Sequence, residues 1–178
     1  MRDILRTAIV ACPRSGDILE EYRNQMLQLV EYEDCTSRSR QEAHFTASAF
    51  VFDHQGRPLA LFHRKLQRWL QPGGHIEPSD KDPREAALRE VQEETGLTDL
   101  QFLSPNPIDL DIHYIPQRGM EDAHDHYDLR YGLRCMRSTD VVESIESNGF
   151  KWLSNDAVHQ WCVEDSIARA IKVARTLL

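Results

Sequence analysis

The sequence predicts an α/β (α+β) fold in which a mixed β-sheet packs between helices. Three observations carry that expectation. Phe45, Ala47, Ala49 and Val51 alternate on one face with period two, which marks a strand. Apolar residues recur at helical spacing near both ends of the chain and once in the middle. Strands and helices follow one another without the regular βαβ rhythm of a doubly wound sheet.

Taken in order, Ile18, Leu19, Tyr22, Met26, Leu29 and Val30 give an amphipathic helix over 18–33, with Asp17 and Glu20 as its expected capping box. The polar stretch "EDCTSRSRQE" reads as a linker. The strand "HFTASAFVFD", the turn "HQGRP" and a second strand "LALFHRK" follow. "PGGHIEPSDKDP" is punctuated by Gly and Pro and reads as a loop. A helix is expected over 83–95, then strands at "LTDLQFLS", "IDLDIHYI", "DHYDLRYGLRCM" and "FKWLS". "NDAVHQW" opens a helix, and "EDSIARAIKVARTLL" is a clear amphipathic one. Residues 1–40 are read as an N-terminal helical extension of the same unit, and 41–178 as the main domain.

A formal net charge of −8 repels polyanions, so nucleic-acid polymers and membrane surfaces are disfavoured partners. Small anions remain open if a cation mediates. Cys12, Cys35, Cys135 and Cys162 lie far apart with no CxxC pair, so reduced thiols in a cytoplasmic protein are the expectation. The apolar run before Cys12 is too short for a signal segment. The N-terminal helix is a candidate homodimer element, since its apolar stripe has no evident partner.

The helix over 83–95 raises the central question. Asp82 suits the N-cap, Pro83 the first helical position, Glu85 the reciprocal capping position and Gly96 the stop. Glu90, Glu93 and Glu94 then share one narrow face beside the apolar stripe of Ala87, Leu88, Val91 and Thr95. Each like-charge pair at this spacing costs roughly 0.2–0.5 kcal/mol on an exposed helix. Arg89 offsets part of that cost. A divalent cation removes it, and clustered carboxylates with room for water suit Mg²⁺, with Mn²⁺ as an alternative. A solvated acidic face is the simpler reading of the three acids alone.

"GGHIEPSDKDPREAALREVQEETGL" resembles the Nudix box of the Nudix (MutT-like) hydrolase family. Gly74 matches the glycine of that pattern, and Arg89, Glu90, Val91, Glu93, Glu94, Gly96 and Leu97 match its second half without a gap. Asp80 stands where the family has its first glutamate. Eight residues, not seven, separate it from Arg89, which puts its inherited role in question. The resemblance implies an α/β/α sandwich with a mixed sheet, and a Nudix hydrolase domain over 41–178. It implies a metal-dependent diphosphatase acting on a small nucleoside diphosphate-linked molecule. Carried over, Glu90, Glu93, Glu94 and the Gly73 carbonyl look like metal ligands. Arg89 orients the glutamate after it, and Glu90 lies nearest the attacking water. A downstream acid before "KWLS" often completes such sites, with Glu146 first choice and Glu143 second.

Outside the box, His124, His126 and Asp128 alternate and would share a strand face, as candidates for substrate phosphate or metal. Arg64 and Lys65 are candidate phosphate contacts. Loops 104–125 and 35–44 are where selectivity is expected. Two alternatives stay open. One is an enzyme resembling isopentenyl-diphosphate isomerase, with Cys135 beside the His segment as its cysteine. The other is a non-catalytic nucleotide-binding regulatory module.

Overall fold

The ten-residue strand β1 (Ala43–Phe52) is buried along its whole length, because it runs between two other strands and is covered on both faces. The structure, a computed structural model, describes residues 1–13, 16–64, 67–117, 119, 122–142, 147–161 and 165–178. In chain order the elements are α1 (Arg2–Ala11), α2 (Asp17–Leu29), β1, β2 (Leu59–His63), β3 (Arg68–Leu70), β4 (Gly73–His75) and α3 (Pro83–Thr95). They continue with β5 (Leu100–Phe102), β6 (Asp109–Ile115), β7 (His124–Cys135), β8 (Ser147–Trp152), α4 (Asn155–Trp161) and α5 (Asp165–Arg175).

A five-stranded sheet runs β4-β1-β7-β5, and β6 also pairs with β7. The β1–β7 pair is parallel and the others antiparallel, so the sheet is mixed as expected. A smaller sheet runs β3-β2-β8. Side chains alternate across β1 and divide the molecule. Phe45, Ala47, Ala49 and Val51 join one apolar cluster with Leu5, Ile9, Leu19 and Met26 of α1 and α2 and with Ala86, Ala87 and Val91 of α3. Full burial of a side chain such as Phe45 is worth roughly 1.5–3 kcal/mol. On the opposite face, Phe50 and Phe52 pack with Ile167, Ala170, Ile171 and Ala174 of α5. Further along that same face, His44, Thr46 and Ser48 are polar yet buried.

Several local expectations change. Gly73–His75, read as loop, is strand β4, held by antiparallel pairing to β1. Arg68–Leu70 forms β3 against β2. Helix α2 is capped by Gly16 without a side-chain bond, and Asp17 is its first residue, not its cap. Its apolar stripe, Leu19, Met26 and Leu29, is buried in the chain's own core. Among the described residues no helix is long and apolar enough to cross a membrane.

The polar stretch of the second face is held by buried charge. Arg130 on β7 reaches Asp111 at 2.7 Å, Asp128 at 3.3 Å and Asp109 at 3.4 Å. Arg169 of α5 donates to Asp109 at 2.7 Å and so ties that helix to β6. Burial alone would raise the Asp111 carboxyl. The field of Arg130 and the hydrogen bond with His113 outweigh it and push the carboxyl down to about 2.

Two outcomes follow from this network. Arg130→Met should cost about 3–5 kcal/mol in chemical denaturation, because it strands buried carboxylates. A loss below about 1 kcal/mol would contradict that role. Asp111 has a folded pKa below its ordinary value, so its stabilisation is present above that value and is lost as pH falls toward about 2. The denaturation midpoint should therefore drop with acid across this window, and less steeply in Asp111→Asn.

Candidate active site

Helix α3 begins and ends where local chemistry dictates. The Asp82 carboxylate accepts from the Glu85 amide at 2.8 Å, and Pro83 occupies the first turn. Gly96 closes the helix at φ 69, a left-handed conformation that costs a glycine least. Glu85 does not complete the expected reciprocal bond to Asp82. It accepts instead from the Lys81 amide at 2.6 Å.

The acidic face is organised by one side chain. All five N–H groups of Arg89 are engaged. Nε and Nη2 each donate to Asp80 at 3.0 Å. Nη2 also donates to the His75 carbonyl at 2.8 Å. Nη1 donates to Glu90 at 2.9 Å and to Glu93 at 3.1 Å. Asp80 therefore keeps a role beside Arg89 despite the changed spacing. Burial would raise the Asp80 carboxyl, but the Arg89 hydrogen bonds and the Glu77 amide hold it below its usual range. The Asp80 bonds in turn keep Arg89 charged against its own partial burial.

The glycines of β4 let strand and helix meet. A Cβ on Gly74 would sit 2.7 Å from the Glu90 carboxylate, and one on Gly73 would sit 2.9 Å from the Ala47 carbonyl oxygen. The Gly73 amide donates to Glu94 at 3.2 Å. Arg89 and Gly73 thus bring Glu90, Glu93 and Glu94 to one edge of the sheet. Glu90 is largely covered, and Glu93 has 59% of its side chain exposed. These are hard carboxylate oxygens beside a glycine strand with no Cβ in the way, a donor set that fits Mg²⁺ or Mn²⁺. The three carboxylates are not drawn onto one point. Among the described residues, the group whose ligand atoms all lie within 4.8 Å of one another is His44, His75 and His126.

The remaining expected residues divide. His124 and His126 do share a face of β7, with Nε2 atoms 3.1 Å apart. Asp128 lies on the same face, but its oxygens accept from Thr46 at 3.2 Å and Ser48 at 2.6 Å inside the sheet. Arg64 is exposed in the turn after β2, a strand of the smaller sheet. Lys65, Glu143 and Glu146 lie outside the described residues. Cys135 is buried at the far end of β7 from His126, about 30 Å along the strand at its usual rise. Burial pushes its thiol up to about 11, the wrong direction for a reactive cysteine. Sequence reasoning passed over His44, His75 and Arg130. The available signal was that His44 alternates with Thr46 and Ser48 on a strand otherwise made of small and apolar residues.

Fold and site together define an α/β/α sandwich whose carboxylate-bearing helix is clamped to a glycine edge strand. The model of the NUDIX domain matches residues 42–172, and the chain belongs to that family. It is 28% identical over 97 residues to the asymmetrical bis(5'-nucleosyl)-tetraphosphatase of Rattus norvegicus. That match covers 53% of this chain and 61% of the relative's length. A NUDIX family hydrolase from Clostridium perfringens superposes with a TM-score of 0.57 at 27% identity, over 76% of this chain and 98% of the other. The C. elegans Ap4A hydrolase in a binary complex gives a TM-score of 0.57 at 19% identity, over 75% and 96% of the two chains.

The Arg89 clamp should be sensitive to geometry and not to charge alone. Arg89→Lys keeps the charge but cannot serve a planar fork and three further acceptors. We expect a loss of roughly 1–3 kcal/mol in unfolding free energy. A double-mutant cycle with Asp80→Asn should return a coupling of about 1 kcal/mol or more. Additive effects would mean that the two residues act independently.

Proposed function

We propose that this protein is a metal-dependent hydrolase that cleaves the diphosphate linkage of a small nucleoside diphosphate-linked molecule. The observation that carries the reading is the clamp itself. Arg89 holds Glu90 and Glu93 beside Gly73 and Gly74, in a chain of the NUDIX family. The rat relative and the C. elegans structure are described as acting on dinucleoside polyphosphates, which supports a substrate of this chemical class.

A diphosphate resists hydrolysis because its anionic oxygens repel an incoming hydroxide. A bound divalent cation supplies neutralisation of those oxygens and a lower pKa for water. The chain supplies position. Arg89 fixes the rotamer of Glu90, and Glu90 is the carboxylate we assign to the attacking water. Glu93 and Glu94 are the assigned metal ligands with the Gly73 carbonyl, and the exposure of Glu93 leaves a route for ligand entry. Glu146 remains our choice for a further acid. No covalent nucleophile is required, because phosphoryl chemistry of this kind rests on positioning and charge.

A substrate panel of nucleoside triphosphates, dinucleoside polyphosphates, ADP-ribose and nucleotide sugars, scored for phosphate or diphosphate release, tests this. Turnover should require Mg²⁺ or Mn²⁺ and fall on the order of a hundredfold or more in Glu93→Gln and Glu94→Gln. Turnover that survives both changes without metal would remove the mechanism. Tight nucleotide binding with no turnover would make the protein a sensor.

A further inference from the structure

The polar patch on the sheet face opposite α3 contains five of the chain's histidines: His44, His75, His113, His124 and His126. They come from four strands, and the pairing register explains their meeting. His126 sits opposite His44 across the parallel β7–β1 pair, and opposite His113 across the β7–β6 pair. His75 sits opposite Thr46, two residues along from His44 on the same face. His44 is 1% exposed, and its ring lies at the centre. Its centroid is 5.0 Å from His75, 4.9 Å from His124 and 5.0 Å from His126.

We propose that His44, His75 and His126 form a second metal site, for a late first-row divalent cation such as Zn²⁺, with His124 as the flanking fourth imidazole. One ring nitrogen from each of the three lies within 4.8 Å of the others. Bonds of about 2.0–2.1 Å to a tetrahedral ion bring ligand nitrogens to roughly 3.3 Å, so modest ring rotation closes the site. The Nε2 atoms of His124 and His126 already stand 3.1 Å apart. His124 donates from Nδ1 to the Asp122 carbonyl at 2.8 Å, since a carbonyl only accepts. That bond leaves the Nε2 lone pair of a neutral His124 facing His126, the orientation that outer partners impose on metal-binding imidazoles. Among the described residues, His75 Nε2 is buried with no hydrogen-bond partner, an arrangement that costs free energy and that an ion would relieve.

The site is chemically distinct from the glutamate edge. Gly74 and His75 are consecutive on β4, so they face opposite sides of the sheet. A Cβ on Gly74 would meet Glu90, whereas His75 meets His44. Imidazoles select Zn²⁺, Co²⁺ or Ni²⁺ over Mg²⁺, and carboxylates do the reverse. An ion here would tie β4, which carries Gly73 and Gly74, to β1 and β7. Arg38 is its competitor. The guanidinium donates to His75 Nδ1 at 2.8 Å, so the neutral ring keeps its proton on Nε2. Binding at Nε2 moves that proton to Nδ1 or to solvent and expels Arg38 as a donor. Binding at Nδ1 displaces Arg38 directly.

The test uses tag-free protein in excess Mg²⁺, titrated with Co²⁺ and then with Zn²⁺. One equivalent of Co²⁺ should bind with the intense visible bands of a tetrahedral nitrogen site, and Zn²⁺ should bleach them. Affinity should fall on the order of a hundredfold in His75→Gln and in His126→Gln and rise several-fold in Arg38→Ala. Glu93→Gln and Glu94→Gln should bind Co²⁺ as the parent does. Circular dichroism and melting without metal confirm that each variant folds, and the half-buried His75 and His126 are chosen over fully buried His44 for that reason. Co²⁺ binding that survives both histidine changes, or that disappears with the glutamate changes, would overturn the site. So would an absence of Co²⁺ binding in Mg²⁺. The readout is metal stoichiometry and colour, so failure of hydrolysis leaves this result intact.

Discussion

The guanidinium of Arg89 is the constraint on which the rest of the site depends. A helix that places three carboxylates on one narrow face is poor chemistry in isolation. Here one planar cation donates to two of them, Glu90 and Glu93, and anchors itself on a third group, the buried Asp80. Its remaining N–H reaches the His75 carbonyl and so fixes strand β4 to helix α3. Lysine carries the same charge but offers three donors from a point, not five from a plane. The repulsion among the acids is therefore partly answered inside the chain. A cation joining them would enter a prearranged edge and would not have to organise it.

The second organising fact is the alternation of the sheet. One face of β1 is apolar from Phe45 to Val51 and takes the three helices α1, α2 and α3. The other face changes character midway. Phe50 and Phe52 sit under α5, while His44, Thr46 and Ser48 face β7 groups that are themselves polar. Burying so many polar groups is tolerable only where each finds a partner. Asp128 finds Thr46, Ser48 and Arg130; Asp111 finds Arg130 and His113; Asp109 finds Arg130 and Arg169. The histidine end of this row differs in kind. Its rings chiefly face one another, and mutual packing of imidazoles gives fewer strong bonds than the carboxylate end has.

Legibility in the sequence followed the range of the interactions involved. Helix α3 was readable from end to end, because Asp82, Pro83 and Gly96 act within a few residues of themselves. Long strands such as β1 and β7 announce themselves through alternation and β-branched or aromatic content. Strand β4 did not, since Gly-Gly-His has almost no side-chain pattern and exists only because β1 pairs with it. The same limit applied to the histidines. His124 and His126 could be placed on one face from spacing alone. His44 and His75 join them only through two strand registers, and a register is a tertiary fact. Asp17 as a cap failed for a related reason, because Gly16 turns the chain into the helix one residue earlier.

Asp80 shows how a departure from a family pattern is absorbed. The extra residue between it and Arg89 had two places to go. Inside the helix it would have turned the residues before it by roughly 100° relative to those after it, and Arg89 would have lost its phase with the N-terminal turn. The helix instead starts at Pro83 under the Asp82 cap, and the phase of Arg89, Glu90, Glu93 and Glu94 is intact. The added length therefore lies in the segment before that cap, where each doubling of a loop costs only about 0.6 kcal/mol. Within it Asp80 is held by its own turn. Its amide donates to the Glu77 carbonyl at 3.0 Å, and its carboxylate accepts from the Glu77 amide at 2.7 Å. A shorter acid on a locally pinned turn thus meets the guanidinium of Arg89. Arg89 requires two carboxylate oxygens at its fork, and it does not matter to the guanidinium how many residues the chain takes to deliver them.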